Sequence, residues 1–200
     1  MTRVRFVAPL LALALLVAAP ARAATWEIDP AHTAIQFSVR HMMVSNVRGH
    51  FGKFSGHVEG DESAPTKARI EATIETASID TGNAKRDDHL RSPDFLDAAK
   101  FPTITFKSTK IEQTDASTWK VTGDLTLHGV TRAVVLDLAD VTKPIKDPMG
   151  AQRAGGAVRT TINRQDFGIS FNKTLDGGGV MVGNEITITI DVEVTRKGGA

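Results

Sequence analysis

The stretch Glu185, Ile186, Thr187, Ile188, Thr189, Ile190, Asp191, Val192, Glu193, Val194 alternates a polar residue with a β-branched aliphatic one along its whole length. Successive side chains of an extended chain point to opposite faces, so this period of two gathers the aliphatic groups on one side and the polar groups on the other. A helix would scatter both sets around its circumference. The stretch therefore predicts a strand with one face buried and one in water.

The same alternation recurs outward from it. Ile35, Phe37 and Val39 alternate with Gln36, Ser38 and Arg40; Ala68, Ile70, Ala72 and Ile74 with Arg69, Glu71, Thr73 and Glu75. Trp119, Val121, Gly123, Leu125 and Leu127 alternate with Lys120, Thr122, Asp124 and Thr126. Weaker runs lie at 25–28, 51–59, 102–112, 130–141 and 155–164, which brings the total to eight or nine strands. Gly, Pro, Asp and Asn cluster between them at 60–65, 113–117, 128–129, 143–150 and 176–179, where turns are needed. Only the stretch from Thr81 to Phe101 breaks the rhythm: Asn83 suits a helix cap, the residues through Arg91 suit a short helix, and Pro93 stops it. Many strands with one apolar face and a single polar helix predict an all-β chain whose antiparallel sheet closes into a barrel and so hides its edges. A two-sheet sandwich remains open, because strand spacing alone does not separate the two.

The amino terminus predicts export. Arg3 and Arg5 precede an apolar run from Phe6 to Ala19 that ends at Ala21, Arg22, Ala23, the pattern of a cleaved secretory signal over residues 1–23. The remaining residues 24–200 form one domain, and the loss of three arginines takes the formal charge from +1 to −2. That balance gives no pull toward nucleic acid or anionic headgroups, and no membrane insertion is expected after cleavage. With no cysteine in the chain, thiol catalysis, disulfides and thiolate metal sites are excluded.

A barrel of eight strands is just wide enough to be filled by its own side chains or to hold one small ligand. Runs of ten residues span roughly 33 Å, and the small Ala68, Ala72 and Gly123 on inward faces favour an elongated cavity. The competing reading fills the interior with Phe37, Phe54, Phe106, Trp119 and Phe167; alternation does not distinguish lining from core. Candidate lining residues are Ile35, Phe37, Ile70, Ile74, Phe106, Leu125, Leu127 and Phe167. The best alternating faces carry no charge, so a ligand inside must be hydrocarbon-like, with any polar head at the mouth.

Six histidines raise the question of a metal, but the intervals among His32, His41, His50 and His57 match no compact ligand motif, and no metal or other cofactor is predicted. Asp88, His89 and Ser92 have the residue types of a hydrolase triad but lie on one short helix without a nucleophile elbow, and no catalytic residue is assigned. Asp88, His89, Arg91 and Ser92 serve better as mouth groups that meet a headgroup, or simply as pins holding the helix to the barrel end. Arg164 can meet a phosphate or quinone oxygen, although pairing with Asp166 or another carboxylate is the commoner use. The glycines at 177–179 lead into a strand rather than a helix, so they read as a turn and not a phosphate cradle.

Several blocks together resemble a known family. Trp26, Glu27, Ile28, Asp29, Pro30 and His32, followed by Phe37, Val39 and His41, are similar to the opening of the YceI-like family of lipocalin-like polyisoprenoid-binding proteins. Asp88 to Leu90, Ser92, Asp94, Phe95, Phe101 and Pro102 agree in the same order, as do Gly123, Leu125, Thr126, Gly129 to Thr131, and Ile162 to Arg164 with Asp166 to Gly168. One departure is Phe171, where the resemblance leads one to expect tryptophan. The resemblance implies an extended eight-stranded lipocalin-like barrel, a periplasmic location, and an isoprenoid quinone, polyprenyl phosphate or fatty amide held for sequestration or transport. A lipid-modifying enzyme on the same barrel and a stress-related module with a filled core stay open, as does a homodimer.

Overall fold

The computed structural model describes residues 24–196, and the signal sequence read at 1–23 lies outside them. In chain order the elements are β1 (Ala24–Ile28), β2 (Ala34–His41), β3 (Ser45–Phe51), β4 (Phe54–Gly60), β5 (Arg69–Glu75), β6 (Ile79–Asp80), α1 (Ala84–Arg91), β7 (Thr103–Gln113), β8 (Trp119–Leu127), β9 (Val130–Ala139), β10 (Ile145–Lys146), β11 (Gln152–Asn163) and β12 (Val182–Arg196). One-turn helices occupy Pro65–Lys67, Thr76–Ser78 and Arg164–Phe167.

The pieces pair into one antiparallel sheet, and β11 joins β9 on one edge and β12 on the other, so the sheet closes on itself. β1 and β2 both run antiparallel to β12, β3 and β4 continue one another, β6 extends β5, and β10 extends β9 along β11. Counted this way, four bent strands and four continuous ones make an eight-stranded barrel; the sandwich alternative is excluded by the closure.

The break between β1 and β2 is bridged by side chains. The buried Thr33 hydroxyl donates to the Glu193 carbonyl at 3.2 Å and accepts from the Glu193 N–H at 3.0 Å, replacing ladder bonds that the bend removes. β12, which contains the alternating stretch Glu185 to Val194, turns Ile186, Ile188 and Ile190 inward against Val39, Phe37 and Ile35 of β2.

One strand escaped the sequence reading. Ser45–Phe51 was not among the runs with a clear period of two, because its inward positions include Gly49. A side chain there would collide with the Phe37 ring, Thr81 and the Asp80 carbonyl. The close approach requires glycine and so weakens the apolar signal.

α1 forms where expected. Asn83 caps it by accepting from the Arg86 N–H at 3.1 Å, and the buried Asp87 carboxylate accepts from Thr81 N–H at 2.9 Å. No helix among the described residues is long and apolar enough to cross a membrane.

Candidate ligand-binding interior

The inward residues divide into two sets that meet differently at the two ends of the barrel. At the α1 end, Phe95, Ile104, Leu127, Ile162, Phe167 and Ile169 are buried together, and Leu90, Leu96, Phe171, Val182, Ile186 and Ile188 pack against them. That cluster draws on strands from opposite sides of the barrel and on the helical segment, so it plugs this end. At the far end, Phe106, Ile111 and Val121 form a second cluster with Ala68, Ile70, Trp119, Leu136 and Leu138, all from β5, β7, β8 and β9 or immediately before β5. Among the described residues, no apolar side chain of β1, β2, β4, β11 or β12 packs against Phe106, Ile111 or Val121.

The facing wall is correspondingly open. Register places Ile28 and Val58, Ala154 and Val158, and Ile190, Val192 and Val194 on the inner face. All seven remain half-buried, whereas Trp26, paired with Val58 on the same face, is buried beneath Arg196. Close-packed aliphatic groups in a filled barrel lose nearly all their accessible surface. The seven keep part of it, and none of them packs against the Phe106, Ile111 and Val121 cluster, so the apolar walls of the far half are not closed on one another.

Inward hydroxyls along these walls are already engaged. The Ser108 hydroxyl accepts from Ile70 N–H at 2.8 Å, and nearer the plug, opposite Ile188, the Thr160 hydroxyl donates to the Val135 carbonyl at 2.8 Å. At the rim of the far end the Arg196 guanidinium lies 4.6 Å from the Trp26 ring centre, donates to Gln152 and pairs with Glu62 at 2.9 Å. Trp119 stands on the opposite wall of the same end.

The residues singled out as lining are therefore not equivalent. Phe106, Leu127 and Phe167 are core side chains, Phe167 only 2 % exposed, while Phe37, Ile70, Ile74 and Leu125 are half-buried. Ile35 is buried beside Ile190.

The five mouth candidates do not converge on an opening. Arg91 donates to the carbonyls of Ala77 and Ile79, both at 2.8 Å, and to Asp88, which pins α1 to the β5–β6 segment. Ser92 bonds back to the His89 carbonyl. His89 lies 2.7 Å from Asp94 and edge-on to Phe95 and Phe171, so the phenylalanine at the departing position completes the plug.

Arg164 corrects the expectation of a carboxylate partner. The residue is 3 % exposed, and its guanidinium donates to the Gly183 carbonyl at 3.0 Å, the Ile169 carbonyl at 2.8 Å and Asn184 Oδ1 at 3.2 Å. Among the described residues it meets no carboxylate. Burial lowers its pKa from the ordinary guanidinium value. The side chain staples the one-turn helix to the start of β12.

A charge cluster that residue spacing does not reveal surrounds Arg153 on the outer face, at the bend between β1 and β2. Arg153 donates to Asp29 at 2.8 Å, to Asp147 at 2.8 Å and to Glu193. His32 lies 2.8 Å from Asp29. Hydrogen bonds from His32, Arg153 and the Ala31 N–H hold the Asp29 carboxyl down at about 2. The Asp147 carboxyl is lowered too, first by Arg153. Asp29, His32 and Glu193 offer atoms within 4.8 Å of one another, as metal ligands would, but Arg153 already places a cation on both carboxylates.

Residues 26–194 match the YceI-like domain. A UPF0312 protein of Staphylococcus aureus is 39 % identical over 166 residues, covering 82 % of this chain and 94 % of the relative. Among solved structures, the BcnA protein of Burkholderia cenocepacia superposes with a TM-score of 0.70 at 25 % identity, over 83 % of this chain and 98 % of its own. The YCEI protein of Campylobacter jejuni gives 0.66 at 32 % identity, over 79 % and 90 %. A polyisoprenoid binding domain from Saccharophagus degradans gives 0.62 at 13 % identity, over 88 % and 99 %. The closed barrel, its helical plug and a match spanning nearly all described residues establish that this chain belongs to the YceI-like family.

Proposed function

We propose that this protein is an exported carrier that holds a polyisoprenoid or similar long-chain amphiphile, such as an isoprenoid quinone, polyprenyl phosphate or fatty amide, without covalent chemistry. The observation that carries the reading is the pair of apolar walls that fail to meet in the far half of the barrel. A hydrocarbon chain laid between them exchanges water contact for contact with Val58, Val158, Ile190 and Val192. Each Å² of apolar surface removed from water contributes about 25 cal/mol. The uncharged lining suits a chain and not a headgroup, whose place is the rim near Arg196 and Gln152. The Saccharophagus degradans domain, whose barrel this chain shares, is a polyisoprenoid binding domain, and that likeness supports the same ligand class.

Native mass spectrometry of the protein purified from its host's exported fraction tests the proposal, with denaturing extraction of any released species. A stoichiometric polyprenyl, quinone or fatty-amide mass is expected. An empty barrel that also refuses added isoprenoids would overturn it and favour the filled-core module.

A further inference from the structure

We infer that the β10–β11 hairpin is a membrane-contact element that seats the far end of the barrel on an anionic bilayer surface. The inference rests on the carrier reading, because it explains how a water-insoluble chain reaches the interior.

Ile145 and Met149 are 67 % and 94 % exposed and stand on one short hairpin. Large apolar groups held in water on a connection of this kind mark an interaction surface when they are clustered rather than scattered. The hairpin does not present them by being slack. Asp147 accepts from the N–H groups of Met149 and Ala151, both at 2.9 Å, and from Arg153 at 2.8 Å, while Gly150 N–H donates to the Asp147 carbonyl at 3.0 Å. This framework fixes the turn with Met149 outermost, and Pro144 and Pro148 stiffen it further.

Charge identifies the partner. Lys143 lies two residues before Ile145 and Lys146 lies between Ile145 and Met149; both are exposed, and neither makes an ion pair among the described residues. Apolar side chains that dip below the headgroups, with lysines at headgroup level, form the arrangement that binds acidic lipid surfaces. Asp147, the acid inside the hairpin, is engaged by Arg153. Asp140 lies just before it.

Position supplies the second argument. The hairpin belongs to the end where the walls stay apart, whereas the opposite end is plugged by Phe95, Phe167 and Ile169. A bilayer held by Ile145 and Met149 therefore faces the interior between those walls. The other exposed apolar tip, Met42 to Val44, projects from the plugged end and has no such interior behind it.

The test is cosedimentation of the exported protein with phosphatidylglycerol/phosphatidylethanolamine vesicles and with phosphatidylcholine vesicles. Uptake of a short-chain isoprenoid quinone in vesicle-free solution is measured in parallel. The wild type is expected to prefer the anionic vesicles; Ile145→Asp with Met149→Asp should lower binding at least tenfold, and Lys143→Glu with Lys146→Glu should remove the preference. All should take up quinone as the wild type does, which verifies their fold. Unchanged vesicle binding by the Asp variant, or loss of binding from Met42→Asp with Met43→Asp instead, would overturn the inference. Quinone uptake with no wild-type vesicle binding would overturn this inference alone, whereas vesicle binding with no quinone uptake would defeat the carrier reading.

Discussion

The two halves of this barrel are built from the same alternating strands and end in opposite conditions. Around α1, inward residues from both sides of the barrel reach one another through Phe95, Phe167 and Ile169. In the far half, Phe106, Ile111 and Val121 are buried against their own wall, and the facing valines and isoleucines remain partly uncovered. The difference comes from side-chain size and from insertion. The far half of β11 turns only Ala154 and Gly156 inward at this level, with Leu138 lying over Gly156, and no helix enters there, whereas the α1 end receives aromatic groups from outside the sheet. Burial of an inward residue thus depends on what packs onto it from neighbouring strands, from across the barrel or from outside the sheet, not on its own strand's alternation.

The largest expected effect comes from emptying the plugged half. Phe167→Ala should cost about 3–5 kcal/mol in denaturant unfolding, the usual loss for a buried phenylalanine. A change below about 1 kcal/mol would break the distinction between the halves, since that is the range of a tolerated swap. Arg164→Met ranks next, because it leaves the buried Ile169 carbonyl without its donor, at about 1–3 kcal/mol.

The same size logic reverses in the far half. Val192→Trp should leave the unfolding free energy within about 1 kcal/mol of wild type, because the indole enters the half whose apolar walls do not pack together rather than a close-packed core. The same variant should abolish quinone uptake. A large destabilisation would mean that the far half is filled.

A smaller effect should appear in acid. Asp29 is held at about 2, below its ordinary 3.8, so its stabilising contribution is complete above about pH 4 and is lost as pH falls toward 2. Arg153→Ala should lower the melting temperature at pH 7, and the gap from wild type should narrow as pH drops through that window. A gap independent of pH would show that Arg153 acts by packing alone.

Much of this architecture was legible in the residues. The period of two in Glu185 to Val194 gave the strand and its inner face, and Asn83 with Pro93 bounded the helix. What alternation could not carry was distance across the barrel. It assigned Leu127 and Ile70 to the same inner surface, yet one is buried beneath the plug and the other only half-covered. The Arg153 cluster was equally hidden, since Asp29, Asp147 and Glu193 come together only when β1, β11 and β12 meet. Gly49 concealed a strand for a local reason: the Phe37 ring occupies the space where its side chain would stand.

The central claim, that the far half receives the ligand, has a built-in reporter. The chain has two tryptophans, and both Trp26 and Trp119 lie on that half, on different walls. Titration with an isoprenoid quinone, which quenches indole emission at short range, should quench saturably with one quinone bound per chain, and Val192→Trp should abolish the saturable component. Stoichiometric quinone binding by native mass spectrometry with undiminished tryptophan emission would place the ligand elsewhere and contradict the account.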